Sequence, residues 1–173
     1  MRAVQGNAAA GRAEVRVGGH LRTLGTASIA LVLDLTSKLA ILGSLEPGES
    51  VSVLGSFFRL TYIRNPGGVF GLKFGGSGLH LLFAGVATVA VIVLLWRSRP
   101  EDGWIRTGLG LVLAGAVGNM VDRIAFGYVV DFIDIGCGTL RWYVFNLADA
   151  YVTVGAGLLI LFYSSQGHED AEA

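Results

Sequence analysis

The sequence predicts an all-α membrane protein of four transmembrane helices, and three observations carry that reading. Hydrophobic residues make up 53% of the 173 positions and charged residues 15%, with a mean hydropathy of +0.61. The apolar residues fall in four blocks, Leu24–Leu45, Leu79–Trp96, Trp104–Val121 and Leu147–Tyr163. Each comes close to the roughly 20 apolar residues needed to cross the hydrocarbon core. Arginines flank the blocks unevenly, as the positive-inside rule expects of a polytopic chain.

The length suits one domain, here residues 24–163 between two tails. Residues 1–23 are Gly/Ala-rich, arginine-bearing and without periodicity, so they read as a disordered cytoplasmic tail. The first block is no cleaved signal peptide: it starts late and carries Asp34 and Lys38 in its middle. Arg12, Arg16 and Arg22 precede it, and Arg97, Arg99 and Arg106 flank the short link between the second and third blocks. Both sites are therefore cytoplasmic. With four spans both termini are cytoplasmic, including the tail 164–173. The connections 46–78 and 122–146 then lie outside.

In the first outer connection, Phe58, Leu60 and Tyr62 alternate with Arg59 and Thr61, and Val51 and Val53 share that rhythm. "NPGG" follows, with Pro66 fixing φ and Gly67 and Gly68 permitting positive φ. A small half-exposed sheet on the outer membrane surface is expected. The second connection is expected to hold a short extracytoplasmic helix or turns around Asp131. A net charge of zero and the absence of a basic, aromatic-interleaved stripe give no sign of nucleic-acid binding. The single cysteine, Cys137, rules out an internal disulfide framework and reads as an incidental thiol.

The polar residues inside these blocks carry the functional signal. A charge at the centre of a span costs about 2.5–3.5 kcal/mol on insertion scales. Asp34 and Lys38, four apart, share a helix face and can pair; a packing ion pair is one reading, an ordered active-site network the other. Gly110, Ala114 and Gly118 form a small-residue stripe that reaches Asp122 one turn later. Asp122 is therefore expected to face a neighbouring helix. Asn119 and Arg123 lie on an adjacent face, where a polar helix end and a snorkelling arginine would also account for them. On the fourth block Asn146, Asp149, Thr153 and Gly157 form one polar or small stripe. Asn146 is a plausible N-cap, and the helix N-terminus favours negative charge at Asp149.

Asp34, Asp122, Asp131 and Asp149 can converge at one end of a small bundle, where their repulsion opposes stability. That argues for chemistry. No HExxH, GxSxG, P-loop or Cys/His metal spacing occurs, and the histidines lie at His20, His80 and His168. Two carboxylates close together make an acid–base pair, because like charges in a low-dielectric site cannot both ionise. A Mg²⁺-dependent lipid phosphotransferase and a proton or cation carrier are the competing classes; neither a DxxDG motif nor an inverted repeat supports them.

At this point the chain resembles the bacterial lipoprotein signal peptidase (signal peptidase II) family. The likeness rests on five islands in order: "DLTSK" (Asp34–Lys38), "NPGGVF" (Asn65–Phe70), "GAVGNMVDR" (Gly115–Arg123), "VVDF" (Val129–Phe132) and "FNLAD" (Phe145–Asp149). The resemblance implies an intramembrane aspartic endopeptidase, with Asp131 and Asp149 as the catalytic pair. Asp34, Lys38, Asn65, Asn119, Asp122, Arg123 and Asn146 take its supporting positions. Pro66, Gly68 and Val69 depart mildly from the usual small residues of the second island. The resemblance further implies a β-cradle over about 50–75, no cofactor or metal, and a monomer in the bacterial inner membrane. Its implied substrates are prolipoproteins already carrying diacylglycerol, cleaved before the lipidated cysteine. Asp134 matches no catalytic position and reads as a solvated loop charge.

Overall fold

The structure, a computed structural model, describes residues 2–67, 77–99 and 102–172, with side chains over 18–67, 78–99 and 102–163. Four helices, α1 (Arg2–Ser44), α2 (Ser77–Arg97), α3 (Gly103–Phe126) and α4 (Leu147–Glu172), carry four strands at one end. The strands are β1 (Ser50–Leu54), β2 (Phe58–Asn65), β3 (Val129–Cys137) and β4 (Leu140–Arg141).

Among the described residues three helical segments are long and apolar enough to cross a membrane: Gly18–Ser44, Gly78–Arg97 and Gly103–Phe126. The apolar part of α4, Leu147–Tyr163, is shorter. The distribution of polarity is inverted relative to a water-soluble bundle. Leu24, Ile29, Leu39, Leu82, Phe83, Val86 and Val89 are each about 60% exposed, while Asp34, Lys38, Asp122 and Asn146 are buried to within 2%. Such a surface suits a hydrocarbon solvent, which leaves apolar side chains outside and drives polar ones to seek partners within.

α3 is the central helix and touches α1, α2 and α4. Its glycines permit this. A Cβ at Gly115 would collide with the Ala148 carbonyl of α4, and one at Gly118 with the Asp34 carboxylate of α1. The stripe Gly110, Ala114, Gly118 and Asp122 is buried as the spacing predicts. On α4 the packing differs from the expected stripe: Gly155, not Gly157, lies against α3, while Thr153 is exposed and returns its hydroxyl to the Asp149 carbonyl.

The strands form one sheet region in the order β1-β2-β3-β4, all pairs antiparallel. The β1–β2 hairpin was legible from its alternation. The partner β3 is not a helix, which corrects the expected short extracytoplasmic helix: 129–137 is a strand, and no helix lies between α3 and α4. Its run Val129-Val130-Asp131-Phe132-Ile133 is β-branched and aromatic, a composition that favours a pleated buried surface. Gly127, in the left-handed region at φ 79°, ends α3 and turns the chain into β3. Tyr62, Val130 and Phe132 pack with Ile41 of α1 in a core that fastens the sheet to the helix ends.

One further expectation needs correction. The tail expected to be disordered is helical from Arg2, continuous with the first span, and α4 likewise continues beyond Tyr163 to Glu172. The alanines at positions 3, 8, 9, 10 and 13 have the best intrinsic helix propensity, which a composition-based reading of disorder discounts. Of the loop after Asn65, residues 68–76 lie outside the described residues, including Gly68, Val69 and Phe70.

Candidate active site

The site is built where the sheet meets the ends of α1, α3 and α4. Lys38, 1% exposed, is its hub. Its Nζ lies 2.9 Å from Asp34 Oδ2 and 3.0 Å from Asp122 Oδ2, and donates to Asn119 Oδ1 at 3.0 Å. The other Asp34 oxygen accepts from the Ala148 N–H of α4 at 2.9 Å. Asp122 accepts from the Val130 N–H of β3 at 3.0 Å. One cation thus holds two carboxylates, and each carboxylate grips the backbone of another element. A buried charge is tolerable only when it is paired, and here Lys38 lies within ion-pair distance of both carboxylates.

From this hub the network runs outward. Asn119 donates to Asp149 Oδ1 at 2.8 Å. Asn146 donates to Asp131 Oδ1 at 2.7 Å and to Asn119 Oδ1 at 3.1 Å. Asn65 donates to the other Asp131 oxygen at 2.9 Å, while its own Oδ1 accepts from the Gly67 N–H at 3.1 Å. Asn146 also caps α4: its Oδ1 accepts from the Asp149 N–H at 3.0 Å, and Asp149 Oδ2 accepts from the Asn146 N–H at 3.3 Å. This is a reciprocal capping box. The capping and network readings of Asn146 and Asp149 are therefore both true.

Strand pairing explains why Asp131 and Asp149 meet. Phe132 and Ile133 N–H groups both donate to the Phe145 carbonyl, and Phe145 N–H returns to Ile133. The residue before the α4 cap is thus stitched to β3 beside Asp131. On its other side β3 pairs with β2, with Ile63 opposite Asp131 and Asn65 opposite Val129, so Asn65 reaches across to the carboxylate.

Burial pushes the Asp131 carboxyl up to about 7, and the nearby Asp149 adds to the rise; the Asn65 and Asn146 hydrogen bonds and Lys38 oppose it. A carboxyl lifted this far is still half protonated near neutral pH, as a general acid requires. Arg123 donates from Nη1 to the Asn119 carbonyl at 3.0 Å. Its charge is felt by Asp149, Asp131 and Asp122.

The structure thus brings together Asp34, Lys38, Asn65, Asn119, Asp122, Asp131, Asn146 and Asp149 in one network, with Arg123 at its edge. Asp134 corrects its reading as a solvated charge. It is 5% exposed, pairs with Arg141 Nε at 2.6 Å and accepts from Thr61 at 2.8 Å. Burial works to raise its pKa, but the bonds from Arg141 and Thr61 and the charges of Arg141 and Arg59 outweigh this and hold it below the usual carboxylate range. Single-sequence reading missed it because Thr61 and Arg141 reach it only through strand pairing. His80 was also passed over. Its ring lies where any side chain at Gly67 would collide with it. Gly67 itself has φ 139°, a conformation that favours glycine. Cys137 is exposed and free.

Comparison with known proteins decides the family. Residues 26–164 match the family model for signal peptidase (SPase) II. The chain belongs to the signal peptidase II family. It is 41% identical over 150 residues to the lipoprotein signal peptidase of Moorella thermoacetica, covering 83% of this chain and 95% of that one. The corresponding protein of Psychromonas ingrahamii is 39% identical over 160 residues, covering 89% and 92%. A bacterial membrane enzyme solved by the in meso method at 2.3 Å superposes with a TM-score of 0.75 at 26% identity, over 84% of this chain and 89% of that one. A second such structure, at 1.9 Å, gives 0.71 at 27% identity, over 82% and 92%. This family member is accordingly a membrane peptidase, and all five sequence islands lie within the matched residues.

Proposed function

We propose that this peptidase is an aspartic endopeptidase that removes signal peptides from diacylglyceryl-modified prolipoproteins, with Asp131 and Asp149 as its catalytic pair. The observation that carries the reading is the Asn119–Asn146 bridge. It joins two carboxylates on different elements, one of them lifted to about 7 by burial. Structural need does not account for it, since the helix cap and the strand pairing would survive with asparagine at either position.

In the proposed reaction Asp131 carries the proton and Asp149 is the base. Asp149 takes a proton from water as its oxygen attacks the scissile carbonyl carbon, and Asp131 gives its proton to the carbonyl oxygen. Collapse of the tetrahedral diol then breaks the C–N bond, with the proton held by Asp149 passing to the departing amine and a diol hydroxyl returning its proton to Asp131. Asn65 and Asn146 hold Asp131 at both oxygens, which fixes its orientation. Arg123 supplies positive potential as charge shifts across the pair. The chemistry calls on no metal: one Asp34 oxygen is committed to Lys38 and the other to the Ala148 N–H, and Asp122 Oδ2 meets both Lys38 and the Val130 N–H.

The helices set the substrate. A scissile bond next to a lipidated cysteine lies at the membrane surface, where the sheet caps the bundle. The apolar stretch of α4 spans roughly 25 Å at about 1.5 Å per residue, close to the hydrocarbon thickness of about 30 Å. We therefore read four spans, both termini cytoplasmic, the sheet outside and the site near the outer face of the bacterial inner membrane, with the protein acting as a monomer.

The test is purified protein incubated with a synthetic lipobox peptide bearing diacylglyceryl cysteine, its products mapped by mass spectrometry. Cleavage before the lipidated cysteine, unaffected by excess EDTA, is the expected result. Burial of acyl chains contributes about 0.8 kcal/mol per CH₂, so the unlipidated peptide should be cleaved poorly. Equal cleavage of both peptides, or loss of activity on chelation with rescue by Mg²⁺ or Zn²⁺, would overturn the reading.

A further inference from the structure

Outside the dyad network, β2 presents an arginine whose setting the peptidase reaction does not require. Arg64 is exposed, yet it is not loose. Its guanidinium carbon lies 5.3 Å from the Tyr128 ring centroid and 5.9 Å from that of Tyr62. Its Nε donates to the Tyr62 hydroxyl at 3.2 Å, and that hydroxyl is 3.1 Å from the Tyr128 hydroxyl. Tyr62 is 2% exposed and packs with Ile41, Leu42 and Leu45 at the end of α1. Stacking on aromatic faces and one hydrogen bond through Nε hold the planar fork in a set orientation. Among the described residues no acceptor engages Nη1 or Nη2. Glu46 is felt only at a distance and forms no ion pair with it.

The depth of this fork identifies its ligand. Tyr62 rests on the last turns of α1, and Tyr128 stands two residues past the end of α3 and stacks on Phe126, 5.8 Å between centroids. Val121, Ile124 and Phe126, at 38, 68 and 41% exposed, mark the membrane-facing side of that helix end. Tyrosines at the end of an apolar span sit at headgroup level. The anion met there by an outward-facing fork is a phosphodiester, and two parallel N–H groups match two phosphate oxygens. We propose that Arg64, steadied by Tyr62 and Tyr128, binds the phosphate of a phospholipid headgroup in the leaflet on the sheet side. The proposal rests on membrane embedding and not on the chemistry assigned to Asp131 and Asp149.

The test uses full-length protein in detergent, stripped of lipid and titrated separately with short-chain phosphatidylglycerol, with diacylglycerol of equal chain length, and with inorganic phosphate. Native mass spectrometry reads occupancy. Charge-assisted pairs are roughly twice as strong as neutral ones, so wild type should hold the phosphatidylglycerol about tenfold more tightly than the diacylglycerol. Arg64→Gln should abolish that preference, and Arg64→Lys, which keeps the charge but loses the fork, should reduce it about threefold. An unchanged preference in Arg64→Gln, or equal binding of the two lipids by wild type, overturns the proposal. If Arg64→Gln does not fold, Arg64→Lys decides alone, and an unchanged preference there overturns it. Inorganic phosphate binding as tightly as the phospholipid would assign the fork to free phosphate and overturn the lipid source.

Discussion

Arg106 and Asp122 sit on the same helix, about 24 Å apart at 1.5 Å per residue, and each anchors a buried polar knot. At the Arg106 end the guanidinium is 3% exposed and reaches His20 Nδ1 of α1 at 2.8 Å and Ser98 Oγ at 3.0 Å. It also reaches the Leu95 and Ser98 carbonyls at 3.4 and 3.5 Å, at the end of α2. A cation placed on the last carbonyls of a helix is a familiar stabilising device, although its buried Nε meets no acceptor among the described residues. At the Asp122 end four carboxylates, Asp34, Asp122, Asp131 and Asp149, share the positive charges of Lys38 and Arg123. The first two are answered by Lys38. The other two are held only by amides and backbone N–H groups. Where charge remains after the stabilising pairs are closed, function is the better explanation.

That contrast can be broken by substitution. Asp131→Asn and Asp149→Asn should each lower turnover of a lipidated substrate by at least about 10²-fold, the low end for general acid–base catalysis, with membrane insertion intact. Near-normal turnover in either variant would remove the dyad from the mechanism. Lys38→Met should act oppositely, on the fold first. It leaves Asp34 and Asp122 facing each other uncompensated, and breaking a buried pair from one side costs about 3–5 kcal/mol. Thermal unfolding in detergent should show a large drop, and no drop would mean the carboxylates find other partners.

Arg106→Ala should lower stability more gently, by about 1–3 kcal/mol, the cost of orphaned buried acceptors. Its turnover per folded molecule and its pH–rate profile should match wild type; a shifted profile would show that the two knots are coupled.

The pH dependence sharpens the comparison. Because the folded-state value of Asp131 is raised from 3.8 to about 7, the folded protein binds its proton more tightly than the unfolded chain does. This group therefore favours folding below pH 3.8, and that advantage is lost as the pH rises through about 7. Asp131→Asn should flatten the fall in melting temperature between roughly pH 4 and 7, and an unchanged slope would assign it to another group. The smallest effect belongs to Asp134→Asn. Its depressed pKa gives the opposite sign: the Arg141 pair stabilises above the unfolded value and is lost as the pH falls through the folded one. At neutral pH a loss of about 1 kcal/mol is expected, the scale of a partly exposed pair, with turnover unchanged.

Much of this was legible in the sequence because local spacing carries it. Asp34 and Lys38 share a face at i, i+4, the Gly110–Asp122 stripe follows the helix period, and Asn146 with Asp149 has capping spacing. What was not legible depends on pairing between distant segments. β3 reads as an apolar run too short for its periodicity to separate strand from helix, so a short helix or turns were expected there. Asp134 looked free because Thr61 lies 73 residues away and meets it only across the sheet. The helical tail before Gly18 was missed for another reason: composition without amphipathic periodicity resembles disorder even where alanine propensity supports a helix.

The Asp34–Ala148 hydrogen bond joins residues 114 positions apart, and this has a consequence for how the protein is made. Asp34 and Lys38 enter the bilayer on the first span, well before Asn119, Asp122 or the start of α4 has been synthesised. Until then the pair has only itself. The start of α4 supplies the N–H that Asp34 accepts, the Asn146 amide that Asp131 accepts and the second carboxylate of the proposed pair. Assembly of the proposed catalytic pair is thus tied to the synthesis of α4, and a nascent or truncated molecule lacking that helix lacks Asp149.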